Sequence, residues 1–189
     1  MPSNTPVFQP GEGSALDKGV NHYLDTQEGD QVHWASYDEK YLVLVYSVGL
    51  NKLLDGTDLA TLFPDSWRCV LATDQQPVIT CEVGIDVPDD PSTLLSVCHD
   101  GCEDQLSALR FVKALVPDDY ELRLLTIPAL SIEVFWLKAP PTGAPDFVVA
   151  VDLQNNELPD RTLIPMDTFL ETVRPLAKER MTFRDCLPQ

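Results

Sequence analysis

The chain is short of basic residues and of long apolar runs. Its 189 residues include 13 lysines and arginines but 30 aspartates and glutamates, giving a formal net charge of −17 at pH 7. The longest apolar run, Tyr41 to Val48, falls far below the ~18 consecutive apolar residues of a membrane-spanning helix. A negative field also repels nucleic acid and anionic membranes, so we expect neither as a partner.

The acidic residues are concentrated in the first half of the chain. Residues 1–104 carry 18 acidic and 4 basic side chains, a net charge of −14, whereas residues 105–189 carry 12 and 9, a net charge of −3. The densest local patch is Asp86, Asp89 and Asp90, in a proline-containing turn. This distribution predicts a surface that binds a basic protein partner; the alternative is an acidic surface that serves solubility alone.

The cysteine pattern is not that of a disulfide-stabilised protein. The five cysteines are odd in number, and the chain is not short. The first residues have neither the basic segment nor the apolar segment of a secretory signal. We therefore expect reduced thiols and a cytoplasmic location. Residues 1–33 are polar with scattered prolines and glycines, which predicts a flexible or loosely docked arm before a single domain over residues 34–189.

Familiar catalytic motifs are missing. The sequence has no Gly-x-Ser-x-Gly nucleophile turn, no His-Glu-x-x-His helix and no Walker-type phosphate loop. Adjacent carboxylates such as Asp38-Glu39 fall in turns, where solvated side chains are expected rather than a general acid and base. The sequence therefore favours a protein that is not an enzyme.

One short segment concentrates metal-binding side chains. Cys98, His99 and Cys102 are close in sequence, and thiolate and imidazole are ligands that zinc prefers. A structural zinc site needs four ligands, so distant residues would have to complete it. The alternative is that Cys98 is a small buried hydrophobe and His99 a surface turn residue. A redox pair is the third interpretation, although neighbouring carboxylates disfavour the thiolate while a helix N-terminus at Cys102 favours it.

Aromatic residues beside the predicted strands are candidates for a ligand pocket. His33, Trp34 and Trp136 would line such a pocket if one face of the sheet were left uncovered. The alternative is that these aromatic side chains form ordinary sheet core.

The stretch from Tyr120 to Leu153 predicts the centre of a β-sheet. Residues 131–138 alternate between two faces, and both faces carry apolar side chains. A loop with three prolines separates this strand from a second one at residues 146–153, which predicts a hairpin. Residues 40–48 form another apolar strand, expected in the sheet interior. Residues 67–73 and 77–84 predict a second hairpin, and residues 93–97 fit either a strand or a helix.

Two helices are expected to cover this sheet. Apolar positions from Leu106 to Leu115 recur at helical spacing, which predicts an amphipathic helix at about residues 103–115. A C-terminal helix is expected at about residues 167–181, and Pro175 should kink it or divide it into two short helices. The predicted fold class is therefore α+β, with a largely antiparallel sheet of about five to seven strands.

Two hypotheses on function follow. The first is a non-enzymatic acidic interaction module, such as an adaptor, inhibitor or immunity-type protein, that binds a basic protein partner. The second is a small-molecule- or metal-binding protein, or an enzyme, with a pocket between sheet and helices. A homodimer formed through an exposed strand is a further option.

Overall fold

The computed structural model describes residues 37–73, 76–84, 94–98, 102–117, 119–141, 143–151, 158–159 and 161–185. The predicted N-terminal arm, residues 1–33, lies outside this part of the chain. In the described part, the helices are too short or too polar to cross a membrane.

Among the described residues, eight strands form a mixed, mostly antiparallel sheet. They are β1 (Glu39–Ser47), β2 (Ser66–Thr73), β3 (Gln76–Gly84), β4 (Leu94–Cys98), β5 (Glu121–Ile127), β6 (Ile132–Lys138), β7 (Phe147–Ala150) and β8 (Ile164–Pro165). Their spatial order is β4-β3-β2-β1-β5-β6-β7-β8. The predicted α+β class is confirmed, and the sheet exceeds the five to seven predicted strands because the ambiguous residues 93–97 form β4 and a short extension forms β8.

In the part of the chain that the structure describes, three α-helices accompany the sheet: α1 (Leu50–Leu54), α2 (Cys102–Leu115) and α3 (Met166–Asp185). Both predicted helices are confirmed within a few residues. Acidic residues stand in the first turn of α2 and Lys113 in its last turn, as the helix dipole favours. Pro175 lies inside α3, so the alternative of two short helices is wrong. A 3₁₀ turn (Leu59–Thr61) is capped by Asp58, whose carboxylate accepts from the Ala60 amide at 2.9 Å.

The chain divides into two compact units, each assembled from two segments. The first unit comprises Met1–Leu44 and Pro64–Ser107, and the second comprises Val45–Phe63 and Ala108–Gln189. Two of the three boundaries fall within β1 and within α2, and the third falls between the 3₁₀ turn and β2. Four consecutive residues of β1, Val43 to Tyr46, are buried, as expected of a strand in the sheet interior.

The first unit is built around the β2–β3 hairpin. Its apolar core comprises Tyr37, Cys69, Leu71, Ile79, Cys81 and Val83. The antiparallel register places Cys69 opposite Cys81 and Leu71 opposite Ile79, so these side chains share one face of the hairpin. On the other face, Arg68 and the opposing Glu82 form an ion pair at 2.8 Å, and Ser66 donates to the same carboxylate.

The second unit is built on the antiparallel strands β5 to β8. Phe169, Val173 and Ala177 of α3 are fully buried and recur every four residues, which places them on one stripe of the helix. The helix packs against α1, β7, β8 and a 3₁₀ turn that follows β5. Arg174 adds a hydrogen bond from its Nε to the carbonyl of Leu53 at 3.3 Å. Pro175 is exposed, so its ring lies outside this contact surface.

Candidate functional site

Few of the sequence-predicted site residues fall in the described part of the chain. Trp136, Cys98 and Cys102 do. The other six, His33, Trp34, Asp86, Asp89, Asp90 and His99, lie outside the described residues. The structure therefore locates one member of the predicted ligand pocket, in the second unit, and two members of the predicted metal site, in the first.

Trp136 belongs to a group of charged and aromatic side chains in the second unit, which we call the arginine–aromatic cluster. Arg123 on β5 lies directly opposite Trp136 on β6. The guanidinium carbon is 4.7 Å from the centroid of the Trp136 ring and 4.8 Å from that of Tyr46. The two rings meet edge to face, with centroids 5.7 Å apart. Arg123 is thus held by two cation–π contacts. The cluster comprises Tyr46, Glu121, Arg123, Trp136, Lys138 and Asp146.

Two carboxylates balance the two cations of the cluster. Arg123 Nη2 donates to Glu121 Oε2 at 2.8 Å, and Lys138 Nζ lies 3.1 Å from Asp146 Oδ2. Asp146 also accepts from the Trp136 indole Nε1 at 2.9 Å and from the Ala139 amide at 2.9 Å. One carboxylate therefore fixes the tryptophan, the lysine and the end of β6. Since β6 and β7 are joined by a proline-containing loop, these bonds tie the two strands together at the base of that loop.

Arg123 retains one unmet hydrogen bond. Its Nε is buried and has no hydrogen-bond partner among the residues the structure describes. Burial raises the pKa of Tyr46 above its ordinary value, Arg123 opposes that rise and Glu121 adds to it. The Tyr46 phenol is therefore held in its protonated, uncharged form at neutral pH.

Trp136, which was predicted to bind a ligand, is closely surrounded by other side chains. Trp136 is 1% exposed, its indole N–H is bonded to Asp146, and Arg123 covers a ring face. A ligand would contact Trp136 only after moving these neighbours. Sequence reasoning considered Trp136 but missed Arg123 and Asp146. The signal for Arg123 was a charged pair, Glu121 and Arg123, at alternate positions of an otherwise apolar strand.

The second candidate is in the first unit, where Cys98 ends β4 and Cys102 begins α2. The Cys102 Sγ donates to the carbonyl oxygen of Cys98 at 3.2 Å and shares a hydrogen bond with Thr80 Oγ1 at 3.4 Å. Thr80 lies opposite Cys98 in the β3–β4 register, so Thr80 and Cys98 stand on the same face. The structure thus brings these two predicted residues together.

The cysteines of the first unit form two close pairs with different exposure. Cys69 and Cys81 are buried and lie opposite each other on β2 and β3. Cys98 is exposed and Cys102 is buried. Burial raises the pKa of Cys69 well above its ordinary value, and contact with Cys81 adds to it; burial likewise raises the pKa of Cys102. None of these four cysteines is in a disulfide.

The described residues add no further potential metal ligands to Cys98 and Cys102. Within those residues, the histidine, cysteine and carboxylate side chains form no group of three or more that could hold a metal ion. His99, the third proposed ligand, is outside them. Zinc at Cys98, His99 and Cys102 therefore stays a prediction.

Comparison with known proteins gives no information on the function of the arginine–aromatic cluster or of the Cys98–Cys102 pair. No protein-family model, curated protein or solved structure matches this chain.

Proposed function

We propose that this chain is a non-enzymatic protein-interaction module that binds a basic protein partner through its acidic first half, residues 1–104. An adaptor, an inhibitor or an immunity-type protein would each act in this way. The observation that carries the proposal is the net charge of −14 over these residues, against −3 over the rest of the chain. A surface field of one sign steers a partner of opposite sign and speeds the encounter.

Arg68, a basic residue of the first unit, is paired with a carboxylate of the same hairpin. Arg68 is bound to Glu82 by two hydrogen bonds, from Nε at 3.2 Å and from Nη2 at 2.8 Å. This ion pair contributes no net charge, so the excess of acidic residues in the first half of the sequence is unchanged. Glu103 at the start of α2 is exposed, and the acidic residues Asp86, Asp89 and Asp90 precede β4 in the sequence.

The chemistry of the thiols and of Trp136 also favours a binding role. Burial raises the pKa of Cys69 and Cys102, which reduces the fraction of thiolate nucleophile at neutral pH. The charged groups of the arginine–aromatic cluster are paired with one another. We therefore assign these groups to the architecture of the module. We also propose that the module acts in the cytoplasm, where thiols stay reduced.

Salt dependence of binding tests the proposal. After crosslinking to identify the partner, the dissociation constant of the purified pair is measured at several salt concentrations. We expect it to rise steeply with salt, because screening weakens attraction between opposite charges. Light scattering of the chain alone distinguishes this outcome from association of two copies. Binding that is insensitive to salt contradicts the proposal.

Matched charge variants locate the binding surface. The triple substitution Asp86→Asn, Asp89→Asn, Asp90→Asn removes three charges from the acidic half. The control, Asp167→Asn, Glu171→Gln, Glu179→Gln, removes three exposed charges from α3. We expect the first variant to weaken binding by about tenfold and the control to leave it within about twofold, because each exposed ion pair contributes roughly 0.2–1 kcal/mol. Equal losses for both variants would show that only the net charge matters.

A second candidate function is small-molecule binding in the second unit. The observation in its favour is the buried Arg123 Nε, which has no hydrogen-bond partner in the described part of the chain. Buried donors are nearly always satisfied, so a ligand carboxylate or an internal water would complete the cluster. A native mass spectrum of the protein purified without added metal tests this: an organic adduct that is lost in Arg123→Leu supports it, and a zinc adduct points to Cys98, His99 and Cys102. A bare mass favours the interaction module.

A further inference from the structure

The two thiol pairs of the first unit differ in their access to solution. From that difference and from the geometry of the exposed pair, we propose that Cys98 and Cys102 are a site of reversible disulfide formation. The reagent is a small organic disulfide, which is reduced as the protein pair is oxidised. This modification site is independent of the proposed interaction function.

Local structure places the Cys102 side chain beside Cys98. Cys98 is the last residue of β4 and Cys102 the first residue of α2. The Cys102 sulfur is 3.2 Å from the Cys98 carbonyl oxygen. Thr80 on β3, opposite Cys98, holds the Cys102 sulfur from the neighbouring strand at 3.4 Å. A disulfide requires two β-carbons to lie close with compatible directions, and a sulfur already placed against the backbone of its partner favours that approach.

Exposure assigns a role to each thiol. Cys98 is exposed and can reach a dissolved disulfide, whereas Cys102 is 2% exposed and cannot. In the first step the Cys98 thiolate attacks one sulfur of the small disulfide, a mixed disulfide forms, and one thiol leaves with the proton of Cys98. In the second step the Cys102 thiolate attacks the Cys98 sulfur, the protein disulfide forms, and the second thiol leaves with the proton of Cys102.

The other thiol pair provides an internal control. Cys69 and Cys81 face each other across the β2–β3 ladder, but their exposed fractions are 0% and 1%. They pack in the apolar core with Leu71 and Ile79. A dissolved disulfide therefore cannot reach either sulfur while the unit is folded. Access to solution therefore distinguishes the two pairs, since one residue of the Cys98–Cys102 pair is exposed and neither residue of the Cys69–Cys81 pair is.

The charge of the chain guides the choice of probe. Glu103 and Asp104 follow Cys102 directly, and the chain as a whole is strongly negative. An anionic disulfide such as oxidised glutathione would be repelled, whereas the cationic disulfide cystamine is attracted. Cystamine is therefore the probe for the test, and oxidised glutathione is the comparison expected to react more slowly.

The test treats the reduced, folded full-length chain with cystamine, blocks the remaining thiols by alkylation and maps the peptides by mass spectrometry. We expect a disulfide joining Cys98 to Cys102, with no cysteamine retained on either residue. Cys69 and Cys81 should be alkylated only after unfolding. In Cys102→Ser the reaction should stop with one cysteamine on Cys98, and in Cys98→Ser oxidation of Cys102 should be lost. Circular dichroism checks that both variants are folded.

Three results would overturn the proposal: a mixed disulfide on Cys98 that persists in the wild-type chain, a Cys98 thiol that does not react, or a disulfide between Cys69 and Cys81 formed first. Each is read from the wild-type peptides alone, so the test does not depend on the folding of a variant.

Discussion

The carboxylate of Asp146 makes several hydrogen bonds that no motif in the sequence predicts. Its carboxylate accepts hydrogen bonds from the Trp136 indole, the Lys138 ammonium and the Ala139 amide. Trp136 and Ala139 are buried, so their N–H groups have no access to water as a replacement. A buried donor that loses its acceptor costs the protein about 1–3 kcal/mol.

Replacing Asp146 should therefore destabilise the second unit strongly. We expect Asp146→Ala to lower the free energy of unfolding by about 3 kcal/mol, since two buried donors lose their acceptor. Urea unfolding followed by tryptophan fluorescence measures this loss. The control is Glu179→Ala, which truncates an exposed acidic side chain on α3 and should change stability by less than about 0.5 kcal/mol. Similar losses in the two variants would contradict the role assigned to Asp146.

Tyr46 gives the cluster a pH dependence with a defined sign. Burial raises its pKa in the folded state above the ordinary value of 10.0, so the unfolded chain loses the phenolic proton first as pH rises. The stabilisation of the folded state by the protonated phenol is complete at pH values below the ordinary pKa and is lost as pH rises through the folded pKa. The difference in free energy of unfolding between the wild type and Tyr46→Phe should therefore be constant below about pH 9. Above about pH 10, the wild type should lose stability relative to Tyr46→Phe. Urea midpoints at several pH values measure this difference. A constant difference across the whole range would show that Tyr46 does not titrate differently on folding.

At the level of helices and strands, α3 contains a local conflict that tertiary packing overrides. Pro175 lacks an amide donor and its ring crowds the carbonyl of the preceding turn, which favours a break. The buried stripe of Phe169, Val173 and Ala177 spans the same position and favours one continuous helix. The structure shows that the stripe prevails, so the proline persists at a cost.

Removing that conflict should stabilise the protein. We expect Pro175→Ala to raise the free energy of unfolding by about 1–3 kcal/mol, because it restores a helical hydrogen bond and a residue of high helix propensity. The matched control is Pro141→Ala in the β6–β7 loop, which should lower stability by about 0.4–1 kcal/mol because it loosens the unfolded chain. Thermal and urea unfolding of both variants gives the comparison. Destabilisation by Pro175→Ala would mean that the proline ring makes a contact worth more than the missing bond.

Local patterns in the sequence predicted most elements, and what they missed depends on pairing between distant residues. The strands β1, β2, β3 and β6 follow from alternation and from β-branched and aromatic residues. The contact of Arg123 with Trp136 depends instead on the register of β5 against β6, which the sequence does not specify. The pairing of Cys69 with Cys81 could have been predicted from the sequence, since both residues are six positions from Gln75 in the predicted hairpin. The predicted burial of Cys98 is wrong, because β4 ends there and leaves it exposed.

At the scale of the whole molecule, charge repulsion opposes folding. The formal net charge of −17 is gathered into a smaller volume when the chain becomes compact. Salt screens repulsion between exposed charges, and the screening length falls from about 30 Å at 0.01 M to about 8 Å at 0.15 M ionic strength.

Stability should therefore increase with salt at low ionic strength. We expect the urea midpoint to rise between about 0.01 M and about 0.15 M potassium chloride and then to level off as the repulsion becomes screened. Choline chloride should give the same curve, because screening depends on ionic strength and not on a particular cation. A rise seen with potassium alone would point to a specific bound ion.

The division into two compact units has a consequence for biosynthesis. Each unit joins two stretches of sequence, so Val45–Phe63 leaves the ribosome before Pro64–Ser107 has completed the first unit, and long before its own unit can close. The buried residues of that stretch, including Leu53 and Leu59, stay exposed on the nascent chain until residues beyond Ala108 arrive. Chaperones bind such apolar segments, and folding of the second unit is confined to the end of translation. For the same reason, no single truncation point releases either unit as a continuous piece of chain.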